Sequence, residues 1–198
     1  MSKPFSQACE NNKRPILAVL REAFAGVDSV LEIGSGTGQH AVFFAAGMPW
    51  LRWLPSDCAP NLPGIRAWLD EAALPNLAPP IELDVTAPWP ALSAGAVFSA
   101  NTAHIMSWPA VERFIAEVGR LLPAGGVFAL YGPFNYGGRY TSESNADFDQ
   151  WLKSTDRLRG IRDFEAVNAL AEGAGFALQA DHAMPANNRT LVWRKAGG

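Results

Sequence analysis

The pattern Glu32-x-Gly34-Ser35-Gly36-Thr37-Gly38 sits inside the stretch VLEIGSGTGQHAVFFAAG, directly after an apolar run and directly before a helix-forming one. Glycines in that place let the chain turn sharply and let a ligand reach main-chain N–H groups with no Cβ in the way. Asp57 follows nineteen residues past Gly38, and Asp84 closes the later apolar run PIELDV beside Val85. Carboxylates at strand ends accept hydrogen bonds from hydroxyl or amino groups of a bound molecule. Each acid also has a plainer use. Glu32, flanked by Leu31 and Ile33, could bond a neighbouring backbone, while Asp57 and Asp84 could cap the turns that follow them. The glycine spacing excludes two common nucleotide sites. A dinucleotide fingerprint reads GxGxxG, whereas residue 39 is Gln, and a phosphate loop of the Walker type would end in Gly-Lys-Ser/Thr, for which Gln39-His40 is no substitute.

These residues need strands and helices to bring them together. SVLEI, LRWLP, PIELDV and AVFSA read as strands, separated by the helical stretches QHAVFFAAG and LPGIRAWLDEAAL and by a Pro-rich connection. The alternation continues with a helix capped by Ser107 over WPAVERFIAEVGRLL, a buried strand GGVFALYG, and a helix from Asp163 to EGAG. Two final strands, FALQADHA and TLVWRK, are joined only by MPANN. That link is too short for a crossover, so an antiparallel hairpin is expected, with Asn187 and Asn188 at positive φ. The predicted architecture is a Rossmann-like, doubly wound α/β domain over residues 1–198, with a seven-stranded, mostly parallel sheet. In such sheets ligands lie outside the carboxyl ends of the strands, where the strand order reverses, and the glycine turn occupies that place. Residues 1–26 read as an accessory segment containing a helix over RPILAVLREAFAG, and residues 132–160 as an insertion with a short helix starting at Ser144.

With those residues in view, the chain resembles the class I S-adenosylmethionine-dependent methyltransferases. KRPIL, PSD, SANTAHIMSW, YGPFNYGG and MPANN are similar, more narrowly, to a methyltransferase-like family of unknown function found in bacteria and animals. The resemblance implies S-adenosylmethionine as cofactor, with S-adenosylhomocysteine as product. It implies Glu32 and the turn Gly34, Ser35, Gly36, Thr37 and Gly38 as its cradle, Asp57 as the reader of the ribose hydroxyls, and Asp84 with Val85 beside the adenine. The alternatives are a binding protein that keeps the cofactor without transferring a methyl group, and an NAD-linked oxidoreductase, which the glycine spacing disfavours.

The fourth strand ends in SANTAHIMSW, which places Asn101 and His104 at the carboxyl edge where a methyl acceptor would arrive. His104 could take the acceptor's proton, given an ordinary histidine pKa of about 6.5, or could simply bond a loop. Asn101 resembles the start of the amine-directed Asn/Asp-Pro-Pro motif, but Thr102-Ala103 replaces both prolines, which weakens a nucleobase or glutamine acceptor. Tyr131, Phe134, Tyr136, Tyr140 and Trp151 could form an aromatic lid, with Arg139, Arg157 and Arg159 receiving an anionic group. Asn12 and Lys13 could close over the cofactor's amino-acid tail.

Composition sets the outer limits. The 198 residues carry 16 Lys and Arg against 19 Asp and Glu, a formal charge of −3, so the basic footprint of a nucleic-acid binder is missing and a small-molecule acceptor is the expectation. Cys9 and Cys58 form no CxxC pair and His40, His104 and His182 lie far apart, so neither disulfide nor metal site is expected. No apolar run approaches the roughly 20 residues of a membrane span. A soluble cytoplasmic protein is expected.

Overall fold

The computed structural model describes residues 3–197. In chain order it contains α1 (Gln7–Ala23), β1 (Ser29–Ile33), α2 (Gln39–Gly47), β2 (Arg52–Asp57), α3 (Leu62–Ala72), β3 (Ile81–Glu82), β4 (Ala96–Ala100) and α4 (Trp108–Leu121). These are followed by β5 (Val127–Gly132), β6 (Phe134–Asn135), α5 (Glu143–Thr155), β7 (Arg162–Asp163), α6 (Phe164–Gly173), β8 (Phe176–Met184) and β9 (Asn188–Lys195). Seven strands form one sheet in the order β3-β2-β1-β4-β5-β9-β8, and β6 and β7 make a separate two-residue parallel pair. Strand β9 pairs antiparallel with both neighbours, so it alone runs against the rest. The sheet is the expected one, and its order reverses between β1 and β4.

Alternating side chains divide the core between the two faces. Val127, Ala129 and Tyr131 of β5 join Ile16, Leu20, Phe44 and Trp53 under α1 to α3, whereas Phe128 and Leu130 join Phe114, Val118 and Trp193 under α4 and α6. This period of two, with both faces apolar, is what a parallel sheet covered by crossover helices requires. Among the described residues no helix is long and apolar enough to cross a membrane.

Several boundaries differ from the sequence reading. The first helix starts at Gln7, capped by Ser6, and carries Pro15 in its interior. The missing N–H would have bonded the carbonyl of Asn11, an exposed residue, where water can serve instead. Strand β3 is two residues long: Pro79 and Pro80 offer no N–H to a ladder, and Asp84 already belongs to a turn. In the last hairpin the positive φ values fall on Ala186 and Asn187, with Asn188 extended. The insertion holds a 13-residue helix, α5, capped by Ser142, which accepts the Asn145 N–H at 3.1 Å. Ser107 caps α4 as expected.

Candidate functional site

The carboxyl ends of β1 to β5 open into one cavity of about 860 Å³, within the ~300–1,000 Å³ span of small-molecule pockets. Its floor on one side is the turn from β1 into α2. Gly34, Ser35, Gly36 and Thr37 line it, and Gly36 has a φ of +57° with no atom of the described residues within 4 Å of where a Cβ would stand. Gly38 is not on the wall. It precedes α2 at φ +89° and lets α3 pack closely, since a Cβ there would lie 3.0 Å from the Ile65 Cα.

Glu32 lies beneath the turn, 2 % exposed and off the cavity wall. Its Oε2 accepts the Ser35 hydroxyl at 2.9 Å and the Trp53 indole N–H at 3.0 Å. Burial pushes its carboxyl up to about 7, against the pull of those two donors. Glu32 therefore braces the turn from below, through its bonds to Ser35 and Trp53.

Asp57, the last residue of β2, faces the cavity. One carboxylate oxygen accepts the Gly36 N–H at 2.7 Å, and the other accepts the Cys58 N–H at 2.7 Å and the Asn61 amide at 2.8 Å. Three of about four lone-pair positions are used, which leaves acceptor capacity toward the cavity. Asp84 and Val85 line the rim after β3. The Asp84 carboxylate accepts the backbone N–H and hydroxyl of Thr86, and those bonds hold its pKa below the usual carboxylate range.

Opposite this wall stand the ends of β4 and β5. Asn101 lines the cavity in a left-handed conformation, φ +58°, with its N–H donated to the Tyr131 carbonyl at 2.8 Å. His104 is 6 % exposed, lines the cavity and meets Phe148 edge-on at 5.3 Å. Burial, with smaller contributions from Arg162 and Arg159, lowers its pKa to about 4, so the imidazole is neutral at pH 7. No hydrogen bond to its ring is found among the described residues, which leaves both nitrogens to a ligand or to water.

Asn12 lines the cavity from α1, whereas Lys13 turns outward to pair with Glu10 and lie over the Phe43 ring. Of the expected aromatic lid only Tyr131 is on the wall. Phe134 is buried in the core under α4, Tyr136 donates its hydroxyl to Asp181 and stacks on Phe164, and Tyr140 donates to Asp149. Trp151 is 56 % exposed and Arg139 lies on an outer turn. The segment does border the cavity, but through Pro133, Ser144, Asn145 and Phe148. Ser144, Asn145 and Phe148 follow one face of α5, a periodicity that a count of aromatic residues passes over.

Two further contributors carry no chemical motif in sequence. His40, at the start of α2, lines the cavity with its Nε2 2.7 Å from the Asn12 amide oxygen, and Asn12 also reaches the Tyr131 hydroxyl. Burial lowers the His40 pKa to about 4 as well. Pro185, Ala186 and Asn188 reach the cavity from the β8–β9 turn.

Residues 3–195 match the family described as "Protein of unknown function (DUF938)". The chain belongs to that family. This DUF938 member shares its fold with several solved methyltransferases. It superposes on an O-methyltransferase family protein from Burkholderia thailandensis with a TM-score of 0.83 at 16% identity, covering 94% of this chain and 57% of that one. An O-methyltransferase family 2 protein from Planctomyces limnophilus, in complex with apigenin, gives 0.83 at 17% identity, covering 96% and 58%. Human N-acetylserotonin methyltransferase, in complex with SAM, gives 0.81 at 15% identity, covering 96% and 53%. The DUF938 chain thus spans a little over half the length of these proteins, and at such identities the likeness is one of fold.

Proposed function

We infer that this protein is an S-adenosylmethionine-dependent methyltransferase acting on a small molecule. The observation that carries the reading is the convergence, on one cavity at the point of strand reversal, of the Gly34–Thr37 turn, Asp57 and the Asp84-Val85 rim. The site fits the cofactor in two respects. Gly36 offers main chain with open space in place of a side chain, and the Asp57 carboxylate keeps acceptor capacity for hydroxyl groups after its three internal bonds. Asp57 would hold the ribose hydroxyls, Val85 and Asp84 would flank the base, and the turn with Asn12 and Asn101 would receive the amino-acid tail.

When bound, S-adenosylmethionine supplies a methyl group already activated on a sulfonium. What remains for the protein is positioning, which in favourable intramolecular models is worth roughly 7–11 kcal/mol of barrier. The chain's contribution is a wall built from five strand ends and from α1 and α5, which would fix where an acceptor lies. His104, neutral and with no hydrogen bond to its ring among the described residues, would contact the acceptor and accept a hydrogen bond from it.

Isothermal calorimetry with S-adenosylmethionine, S-adenosylhomocysteine and NAD tests the reading. The two sulfur nucleosides are expected to bind and NAD is not. Binding of NAD alone, or of none of the three, overturns it.

A further inference from the structure

Resting on that reading, we propose that the methyl acceptor is an uncharged, largely apolar molecule and that phosphorylated or carboxylated acceptors are rejected. The half of the cavity away from Asp57 and Asp84 is walled by Ile105, Met106, Tyr131, Pro133, Asn145 and Phe148 around His104. No Lys or Arg among the described residues lines any part of the cavity. An anion placed there would lose its hydration and find no counter-charge, which is the costliest form of burial.

Two of the basic residues near this end are committed elsewhere, and the others lie off the wall. Arg162 donates its guanidinium to the carbonyls of Ala103, Met106 and Leu158, behind the His104 turn. Arg189, beside the β8–β9 turn, is paired with Asp181 at 2.7 Å. Arg159, 3.9 Å from Asp156 and with no hydrogen bond to its Nε among the described residues, lies off the wall, as do the exposed Arg157 and Arg139, so the anion receptor expected from the sequence is not assembled on it. No carboxylate among the described residues lines that end, so a cationic acceptor would find no counter-charge there either. What the wall offers instead is apolar surface, the edge of Phe148 and a few neutral hydrogen-bonding groups: the His104 ring, the Asn145 amide and the Tyr131 hydroxyl.

Two matched probes separate the charge from the shape. The dissociation constants of 2-naphthol and 2-naphthyl phosphate are measured by ligand-observed NMR on the full chain with S-adenosylhomocysteine present. The wild-type protein is expected to hold the naphthol at least tenfold more tightly than the phosphate. Phe148→Arg, a partly exposed helix position, should reverse that order by setting a cation on the wall. Ile105→Arg, at a 47 % exposed site, gives the same test should the first variant fold poorly. Equal or tighter binding of the phosphate to wild type, or binding of neither probe, overturns the proposal. A titration of S-adenosylhomocysteine alone runs beside it. Naphthol binding without nucleoside binding contradicts the cofactor reading while upholding the charge preference.

Discussion

His104 shows how burial changes what a residue type can do. As an ordinary histidine it would titrate near neutrality and serve as a proton acceptor of matched strength, but at a pKa of about 4 it is a weak base held permanently neutral. Its contribution is therefore a hydrogen bond that orients the acceptor. Loss of one such bond corresponds to roughly 1–3 kcal/mol, or about 5–150-fold in rate. His104→Gln should lower labelled-methyl turnover in a metabolite extract by that amount while leaving the dissociation constant for S-adenosylhomocysteine within about twofold. Wild-type turnover should vary little between pH 5 and 8. A turnover that falls about fourfold from pH 8 to pH 6 would show a histidine with an ordinary pKa of about 6.5 acting as base.

At the scale of elements, the cavity depends on how α1 is fastened to the sheet. Gln39, at the start of α2, accepts the Ser6 N–H at 2.6 Å and the Thr37 hydroxyl at 3.0 Å, and donates to Glu10 at 2.9 Å. Trp68 of α3 donates its indole N–H to the Pro4 carbonyl at 2.7 Å. Together these bonds press the first turn of α1, with Cys9 and Asn12, against the cavity. Gln39→Ala should release it. At about 1 kcal/mol for each of the three lost bonds, nucleoside affinity should fall by up to about 150-fold, and amide exchange over residues 6–12 should speed up with that of α4 unchanged. Unchanged exchange over 6–12 would show that packing alone holds the helix. The alternation of strands and helices, the antiparallel final hairpin and the Ser107 cap were legible because they follow from period and loop length, which are local properties. The wall residues were legible where a motif marks them, as at Gly34 to Thr37 and Asp57. His40 and Asn145 were not, because their roles come from a helix face and from contacts with residues 28 and 42 positions away. Trp151 misled for the converse reason: an aromatic ring names no direction until the helix phase is known.

For the molecule as a whole, the buried titratable groups set opposing slopes of stability with pH. Glu32 has a folded pKa of about 7, above its usual 4.5, so the stability it contributes is full below about 4.5 and is lost as pH rises through 7. His40 and His104, at about 4 in the fold against 6.5 unfolded, contribute stability that is present above 6.5 and lost as pH falls toward 4. Glu32→Gln keeps an acceptor for Ser35 and Trp53 and removes only the first slope. The variant should gain on wild type by up to about 1.4 kcal/mol per pH unit between 4.5 and 7, with no further gain above 7, in urea titrations. A difference constant across that range would mean that Glu32 ionises normally. The central claim, that the reversal point of the sheet binds a nucleoside across β1 and β2, rests on Asp57. Because its carboxylate also holds the Gly36 N–H, Asp57→Ala will disturb the turn as well as any ribose contact. A double-mutant cycle cancels the disturbance: S-adenosylhomocysteine and its 2′,3′-dideoxy analogue are each titrated against wild type and Asp57→Ala. With bonds to a charged acceptor worth about 1.5–3 kcal/mol each, and about 1.4 kcal/mol per decade, removing the hydroxyls should weaken wild type at least tenfold and the variant little. An equal penalty in both proteins would contradict the account, leaving Asp57 as a brace for the glycine turn.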